Sequence, residues 1–317
     1  MNESAAARSP TIRPSVGQLA AIACVVEATA RKPGNVHRLA DFPDMVYPDF
    51  LLSAIAIAPA LDRAAGQGLG ATVLSATQAT RLLVRSNTNL GLILALAPIA
   101  AAWSRPEPSL RERVNTVLAQ TSVEDARLVY RAIREASPGG LGKVPRQDLA
   151  DEPTLPLRDV MALAADRDLL ARQYVNGFED VFAIVQPELR ESLRRGQGLE
   201  SAVVRTAVVL LARRGDSLIR RKRGESESLH ASRLAEDALD AWSTREQDAS
   251  ADARQRLDRL DRWLRAEGNA RNPGTTADLV AAALFAGLLD ETIPLSALSG
   301  PSAWSALGFT MSCPIAP

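Results

Sequence analysis

Apolar residues recur three and four positions apart through almost the whole chain, and no stretch alternates in the manner of a β-strand. The most constraining segment is Leu90 to Trp103. It is apolar on every side and interrupted only by Gly91 and Pro98. A helix that is apolar all round must be buried. At 14 residues it falls short of the roughly 20 that a bilayer span needs. It therefore predicts a central helix wrapped by others, and alanine, the best helix former, is abundant around it. The expected fold class is all-α, one compact multi-helix domain. A chain of 317 residues can bury such a core without disulfides or a structural metal.

Helices are expected over about 15–31 with Ser15 as N-cap, from Pro48 to about 65, over 71–85 and over 90–103. Thr121-Ser122-Val123-Glu124 reads as a capping box before a helix ending near Ser137. Further helices fit about 157–185, 188–195, 199–213, 226–246, 250–266 and 275–290. The domain division is a flexible lead-in over 1–14, a helical domain over 15–290 and a loosely packed extension over 291–317. The segment 138–158 is the best internal loop, and 224–250 reads as a solvated face.

Charge narrows the function. Basic and acidic residues balance at 37 each, which argues against nucleic acid as a partner. Cys24 and Cys313 lie at opposite ends, so no disulfide framework is expected. No secretory signal and no membrane span are visible, and a cytoplasmic setting is the expectation. His37 and His230 are the only histidines. Without a metal-ligand cluster or a Gly-x-Ser-x-Gly elbow, zinc and serine hydrolysis are poor fits. His37 reads as a loop surface residue and His230 as solvated. The four tryptophans read as packing residues. Carboxylates, amides and a few cations are left to carry chemistry, an inventory suited to phosphate and Mg²⁺.

All three lysines adjoin Gly or Pro: Lys32-Pro33-Gly34, Gly142-Lys143-Val144-Pro145 and Lys222-Arg223-Gly224. Lysine serves phosphate oxygens as a point charge, and glycine lets backbone approach a ligand. Glu27 precedes the first of these turns, and Asp41, Asp44 and Asp49 follow it. Ser86-Asn87-Thr88-Asn89 opens the buried helix with caps that also suit an anion. Gly215-Asp216-Ser217 leads into four consecutive cations, readable as a solvated basic turn or as an anion clamp. Asn272-Pro273-Gly274-Thr275-Thr276-Ala277-Asp278 opens the last strong helix, with Asp278 expected in its first turn. The two x-Pro-Gly turns, at 31–35 and 271–275, read as recurrent turn chemistry.

These residues together resemble the triphosphoribosyl-dephospho-coenzyme A synthases. The pattern is Glu27…Lys32-Pro33-Gly34-Asn35-Val36…Asp44-Met45…Phe50-Leu51-Leu52-Ser53-Ala54, then Asn87-Thr88-x-x-Gly91, Gly215-Asp216-Ser217 and Pro273-Gly274-Thr275-Thr276-Ala277-Asp278-Leu279. Three departures stand out. Asn89-Leu90 stands where the family has His-Lys, Phe42-Pro43 where it has a His before Asp-Met, and Lys222-Arg223-Gly224-Glu225 where it has Ser-Arg-Gly-Gly.

The resemblance implies an all-helical transferase. It would move the triphosphoribosyl group of ATP to the 2′-hydroxyl of 3′-dephospho-coenzyme A, or of a related cofactor precursor, and release adenine. Small-molecule nucleotides would be its partners, ATP a substrate and Mg²⁺ its cofactor. It implies Glu27, Asp44 and Asp278 as catalytic carboxylates, and these three with Asp216 as metal ligands. Lys32, Gly34, Asn35 and Arg223 would hold phosphates. Asn87, Thr88 and Asn89 would position a ribose, with Gly274 and Thr275 also on substrate. The alternatives are an N-glycosidic hydrolase and a non-catalytic nucleotide-binding protein on the same fold.

Overall fold

The computed structural model describes residues 13–136, 147–242 and 249–304. Lys143, Ser137, Cys313, the lead-in up to residue 12, and the parts of the 138–158, 226–246 and 291–317 readings outside those ranges lie outside the described residues. Among the described residues there are helices and no strands. In chain order they are α1 (Val16–Thr29), α2 (Tyr47–Asp62), α3 (Ala64–Gln67), α4 (Leu69–Leu83) and α5 (Leu90–Ala102). Then come α6 (Leu110–Ala119), α7 (Val123–Ala136), α8 (Leu157–Ala162), α9 (Leu169–Asn176) and α10 (Gln186–Arg194). The last five are α11 (Leu199–Arg214), α12 (Ser217–Arg223), α13 (Glu225–Ala241), α14 (Ala251–Arg265) and α15 (Gly274–Leu289).

The apolar run at 90–102 forms the centre, as its composition requires. Every residue of α5 except Gly91 is buried. Its companion is α15, largely apolar beyond its first turns and packed against α5 and α1. One large core surrounds this pair and draws on α1, α2, α4, α7 and α11. A smaller core lies between α11, α13 and α14, around Trp242 and Leu257. Truncating a fully buried side chain such as Leu96 to alanine costs about 2–5 kcal/mol.

Local signals decided the helix ends. Ser15 caps α1 in a full capping box with Gln18, and Pro48 sits in the first turn of α2. Several boundaries differ from expectation. The box before α7 is one residue later: Ser122 Oγ accepts from Asp125 N at 3.1 Å, and the Asp125 carboxylate accepts from Ser122 N at 2.8 Å. The span 157–185 is not one helix. Asp168 caps a new start at α9, Gly177 ends it in the left-handed region, and residues 181–185 form a π-turn leading into α10. Helix α6 was not anticipated, although Ser109 and Glu112 close a capping box there. The basic run 220–223 is helical rather than a turn. Ile293 and Ala303 are buried, and the Ala303 carbonyl accepts from Glu200 N at 3.0 Å. No helix among the described residues is long and apolar enough to cross a membrane.

Candidate active site

The two x-Pro-Gly turns, 240 residues apart in the chain, lie against each other. Gly34 adopts φ +75°, which favours glycine, and a Cβ there would come within 2.7 Å of Leu264 and 2.9 Å of Pro273. Its N–H donates to Asp261 Oδ1 at 2.7 Å. Asn35 Nδ2 donates to Asn272 Oδ1 at 2.6 Å, and Arg265 binds both Asp261 and the Asn35 carbonyl. Gly34 is therefore a packing residue, and the paired turns form a rigid floor.

Lys32 lies beneath that floor. It is 1% exposed, and its ammonium is 2.8 Å from Glu27 Oε1 and also donates to the Glu27 and Ala30 carbonyls. A buried ammonium so saturated cannot reach a phosphate. It holds the Glu27 carboxylate in place instead. Beside it, Glu200 is gripped by Arg31 at 2.9 Å and Arg38 at 2.7 Å, all in the interior or half-buried. His37 is buried here rather than exposed. Burial, and then Arg265 and its cationic neighbours, lower its pKa to about 2, so the ring is neutral and its Nδ1 accepts from Leu39 N. His230 packs at a tilt of 60° against Trp263, with ring centroids 4.7 Å apart, and is half-buried rather than solvated.

Above the floor opens a cavity of about 550 Å³. That size suits a nucleotide-sized ligand. The N-terminal ends of α5, α9 and α15 all reach it, through Leu90, Leu170 and Gly274. Three such ends converging give a locally positive field suited to anions. The polar run at 86–91 lines one side. Asn87 Oδ1 accepts from Leu90 N at 3.2 Å, Thr88 Oγ1 is 2.6 Å from Ser53 Oγ, and buried Asn89 donates to Thr80 Oγ1 at 3.0 Å. On the other side Thr275 Oγ1 accepts from Ser217 Oγ at 3.1 Å.

Asp278 is the single charged residue of α15 and lies one turn further in than expected, on the cavity wall. Among the described residues its carboxylate has no hydrogen bond or ion pair. It rests on the backbone of α5. A Cβ added at Gly91 would fall 1.9 Å from Asp278 Oδ2, so only glycine leaves room for it. Burial pushes its pKa well above the ordinary carboxyl range. The charges of Glu27, Asp216 and Asp168 add to this, and Arg221 opposes it.

Of the residues singled out in the sequence, Glu27, Asn35, Asp44, Asn87, Thr88, Asn89, Gly274, Thr275 and Asp278 all line this cavity. Lys32, Gly34, Asp216 and Arg223 do not. Asp216 is 1% exposed and spends both oxygens on the fold. Oδ1 accepts from Leu218 N at 2.8 Å and Ile219 N at 3.2 Å, and Oδ2 from Thr276 N at 2.7 Å and Thr276 Oγ1 at 2.8 Å. Arg223 is exposed and paired with Glu227 at 3.0 Å and Glu267 at 2.8 Å. The cations that do reach the cavity are its neighbours Arg221 and Lys222. Arg221 lies 3.6 Å from Asp168, and Lys222 donates to the Asn269 carbonyl at 3.3 Å. Asn269 in turn donates to Asp44 at the exposed rim. Among the described residues no group of three or more His, Cys, Asp or Glu could by itself hold a metal ion.

Sequence reasoning passed over Asp168, Arg221, Lys222, Asn269 and Asn272 as site residues. Asp168 was hidden by reading one helix across it, although an Asp before Leu169 is itself an N-cap signal. Arg221 and Lys222 belong to the recognised basic run, but only a helix turns two of its four cations inward.

Comparison with known proteins gives a consistent result. Residues 13–296 match the CitG family, ATP:dephospho-CoA triphosphoribosyl transferase. No curated protein matches. A crystal structure from Archaeoglobus fulgidus, provisionally named triphosphoribosyl-dephospho-coA synthase, superposes with a TM-score of 0.58 at 26% identity. The likeness covers 76% of this chain and 98% of that one.

Proposed function

Because this chain belongs to the CitG family of ATP:dephospho-CoA triphosphoribosyl transferases, we propose that the cavity at the three helix ends is where the transfer takes place. The reaction joins C1′ of the ATP ribose to a hydroxyl oxygen of dephospho-CoA and breaks the C1′–N bond to adenine. The electron pair of that bond leaves with adenine, and the hydroxyl proton must be taken up and returned to the departing base.

Asp278 is the residue for that proton. The observation that carries this reading is a carboxylate recessed in the cavity, unpartnered among the described residues, with burial and neighbouring carboxylates raising its pKa well above the ordinary carboxyl range. A raised carboxyl is matched to general-base and general-acid work near neutrality. Glu27, positioned by its ion pair with Lys32 at 2.8 Å, offers negative charge to the oxocarbenium-like ribose in the transition state. Arg221 and Lys222 with the helix N-termini receive the triphosphate. Asn87, Thr88 and Asn35 offer hydroxyl and amide groups to ribose. Leu90 and Gly91 close the wall behind it.

Mg²⁺ fits this donor set in one mode. It uses one or two carboxylates together with substrate phosphates and rarely a protein-only cage. Asp44, on the rim within the field of Lys222, is the carboxylate that suits it, and Asp216 is not available because four donors occupy it. When bound, the ion would neutralise triphosphate charge. The cytoplasm, where ATP and coenzyme precursors occur together, is the setting this activity needs.

The test is to incubate pure protein with ATP, Mg²⁺ and dephospho-CoA. Free adenine and a conjugate carrying the triphosphoribosyl mass are expected, and both should be lost with chelator. Ribose triphosphate without conjugate would mean a hydrolase. Nucleotide binding without adenine would mean a non-catalytic protein.

A further inference from the structure

The cavity is chemically divided, and only part of it is accounted for by ribose and triphosphate. Its charged and amide groups come from Glu27 of α1, the loops at 35–45, 86–89 and 268–275, Asp168 at the start of α9, the last turn of α12 and the second turn of α15. A second wall is purely aliphatic: Leu92 and Leu94 of α5, Ile133 of α7, Met161 of α8 and Leu170 of α9. Five apolar side chains from four helices thus line the same cavity. The Tyr174 hydroxyl donates to the Leu94 carbonyl at 2.8 Å and holds α9 against α5 behind it.

Such a wall rejects groups that need hydrogen bonds, because their polar atoms would go unpaired. Adenine, ribose and phosphate carry nitrogens or oxygens around their edges. The acceptor differs from the donor by its pantetheine arm, which holds the longest run of methyl and methylene groups on either reactant. Resting on the transferase reading, we propose that this wall is the acceptor subsite. It seats the aliphatic part of the pantetheine arm and leaves the donor to the charged end. Met161 and Ile133, both half-buried at the cavity face, are then residues that select the acceptor without touching the reacting atoms. Methionine suits the role, since its flexible thioether moulds to an irregular chain.

The experiment is equilibrium binding by calorimetry on the full chain, with dephospho-CoA and ATP titrated separately into wild type, Met161→Glu and Met161→Leu. Met161→Glu is expected to weaken dephospho-CoA at least tenfold and to leave ATP within twofold, while Met161→Leu changes both by less than twofold. Should Met161→Glu fail to fold, Ile133→Thr replaces it, with an expected weakening of about threefold for dephospho-CoA alone. Loss confined to ATP would overturn the proposal by assigning the wall to the donor's adenine. Equal loss of both ligands, no loss of either, or no dephospho-CoA binding by wild type would also overturn it. Adenine release by wild type is scored in parallel. Selective loss of dephospho-CoA binding without adenine release would sink the transferase reading and leave this one standing. Adenine release with dephospho-CoA binding untouched in Met161→Glu would do the reverse.

Discussion

Asp216 and Asp278 are both aspartates near helix starts, both in motifs that the sequence marks for chemistry, and both desolvated. They differ in their partners. Asp216 accepts four hydrogen bonds and ties the start of α12 to the start of α15. Burial pushes its carboxyl up, and those donors pull it back. Asp278 lies less than two turns away on α15, has no such bond among the described residues, and faces the cavity beside three other carboxylates. The lesson is energetic. A buried carboxylate with all its acceptor sites filled is architecture. One left desolvated and unpaired costs stability, and a fold retains it where function recovers the cost.

That contrast can be broken at several points. Asp278→Asn should lower kcat/KM by roughly 10²–10⁴, with helicity unchanged. In wild type the base is active only when ionised, so kcat/KM should fall as pH drops through the raised Asp278 pKa, and Asn should abolish that limb. The stability sign follows from linkage. A carboxyl whose folded pKa lies above its unfolded value favours the fold while protonated. That advantage is lost as pH rises from the ordinary carboxyl range through the folded pKa. Denaturation at pH 5 and pH 8 should therefore show Asp278→Asn gaining on wild type at the higher pH. Full activity in this variant would remove Asp278 from the site.

Next in size is Gly91→Ala. The added carbon would meet Asp278 Oδ2 at 1.9 Å, and displacing a reacting group by such a step costs about 10² in rate. The loss should fall on kcat rather than on the KM for dephospho-CoA, and an unchanged kcat would show that the carboxylate can move freely. Asp216→Ala should instead destabilise by about 3 kcal/mol, combining a lost cap with unpaired buried donors. Urea titration would read this as a lower midpoint. If it abolished activity at full stability, the division between the two aspartates would fail. The smallest effect is expected from Arg223→Ala. Its ion pairs lie outside the cavity, so the KM for ATP should move less than about twofold, whereas Arg221→Ala, within the cavity, should raise it about tenfold. Equal effects would return Arg223 to the phosphate site.

Much of the fold was legible. The apolar run from Leu90 could only be a buried helix, and Ser15 and Pro48 marked true starts. Helix α6 was legible in Ser109 and Glu112 but was passed over. The break of 157–185 into three pieces depends on Asp168, Gly177 and a positive φ at Phe178, weak local signals that periodicity overrides. The site was legible in its motifs but not in its roles. Lys32 and Arg221 carry the same charge in similar glycine- or cation-rich surroundings. One is consumed by Glu27 and two carbonyls in the interior, and the other reaches the cavity.

The amino-acid order alone determined that this chain is all-helical, that α5 is its buried centre, and that its chemistry belongs to carboxylates and amides, because helix periodicity, capping and residue inventory are local properties. Only the tertiary structure decided that turns 31–35 and 271–275 form one floor through Asn35 and Asn272, and that Gly91 is the space in which Asp278 sits. It also decided which aspartate is bonded and which is bare. Hydrogen-bond satisfaction and desolvation depend on what surrounds a group from every side, and most of those surroundings come from residues far away in the chain.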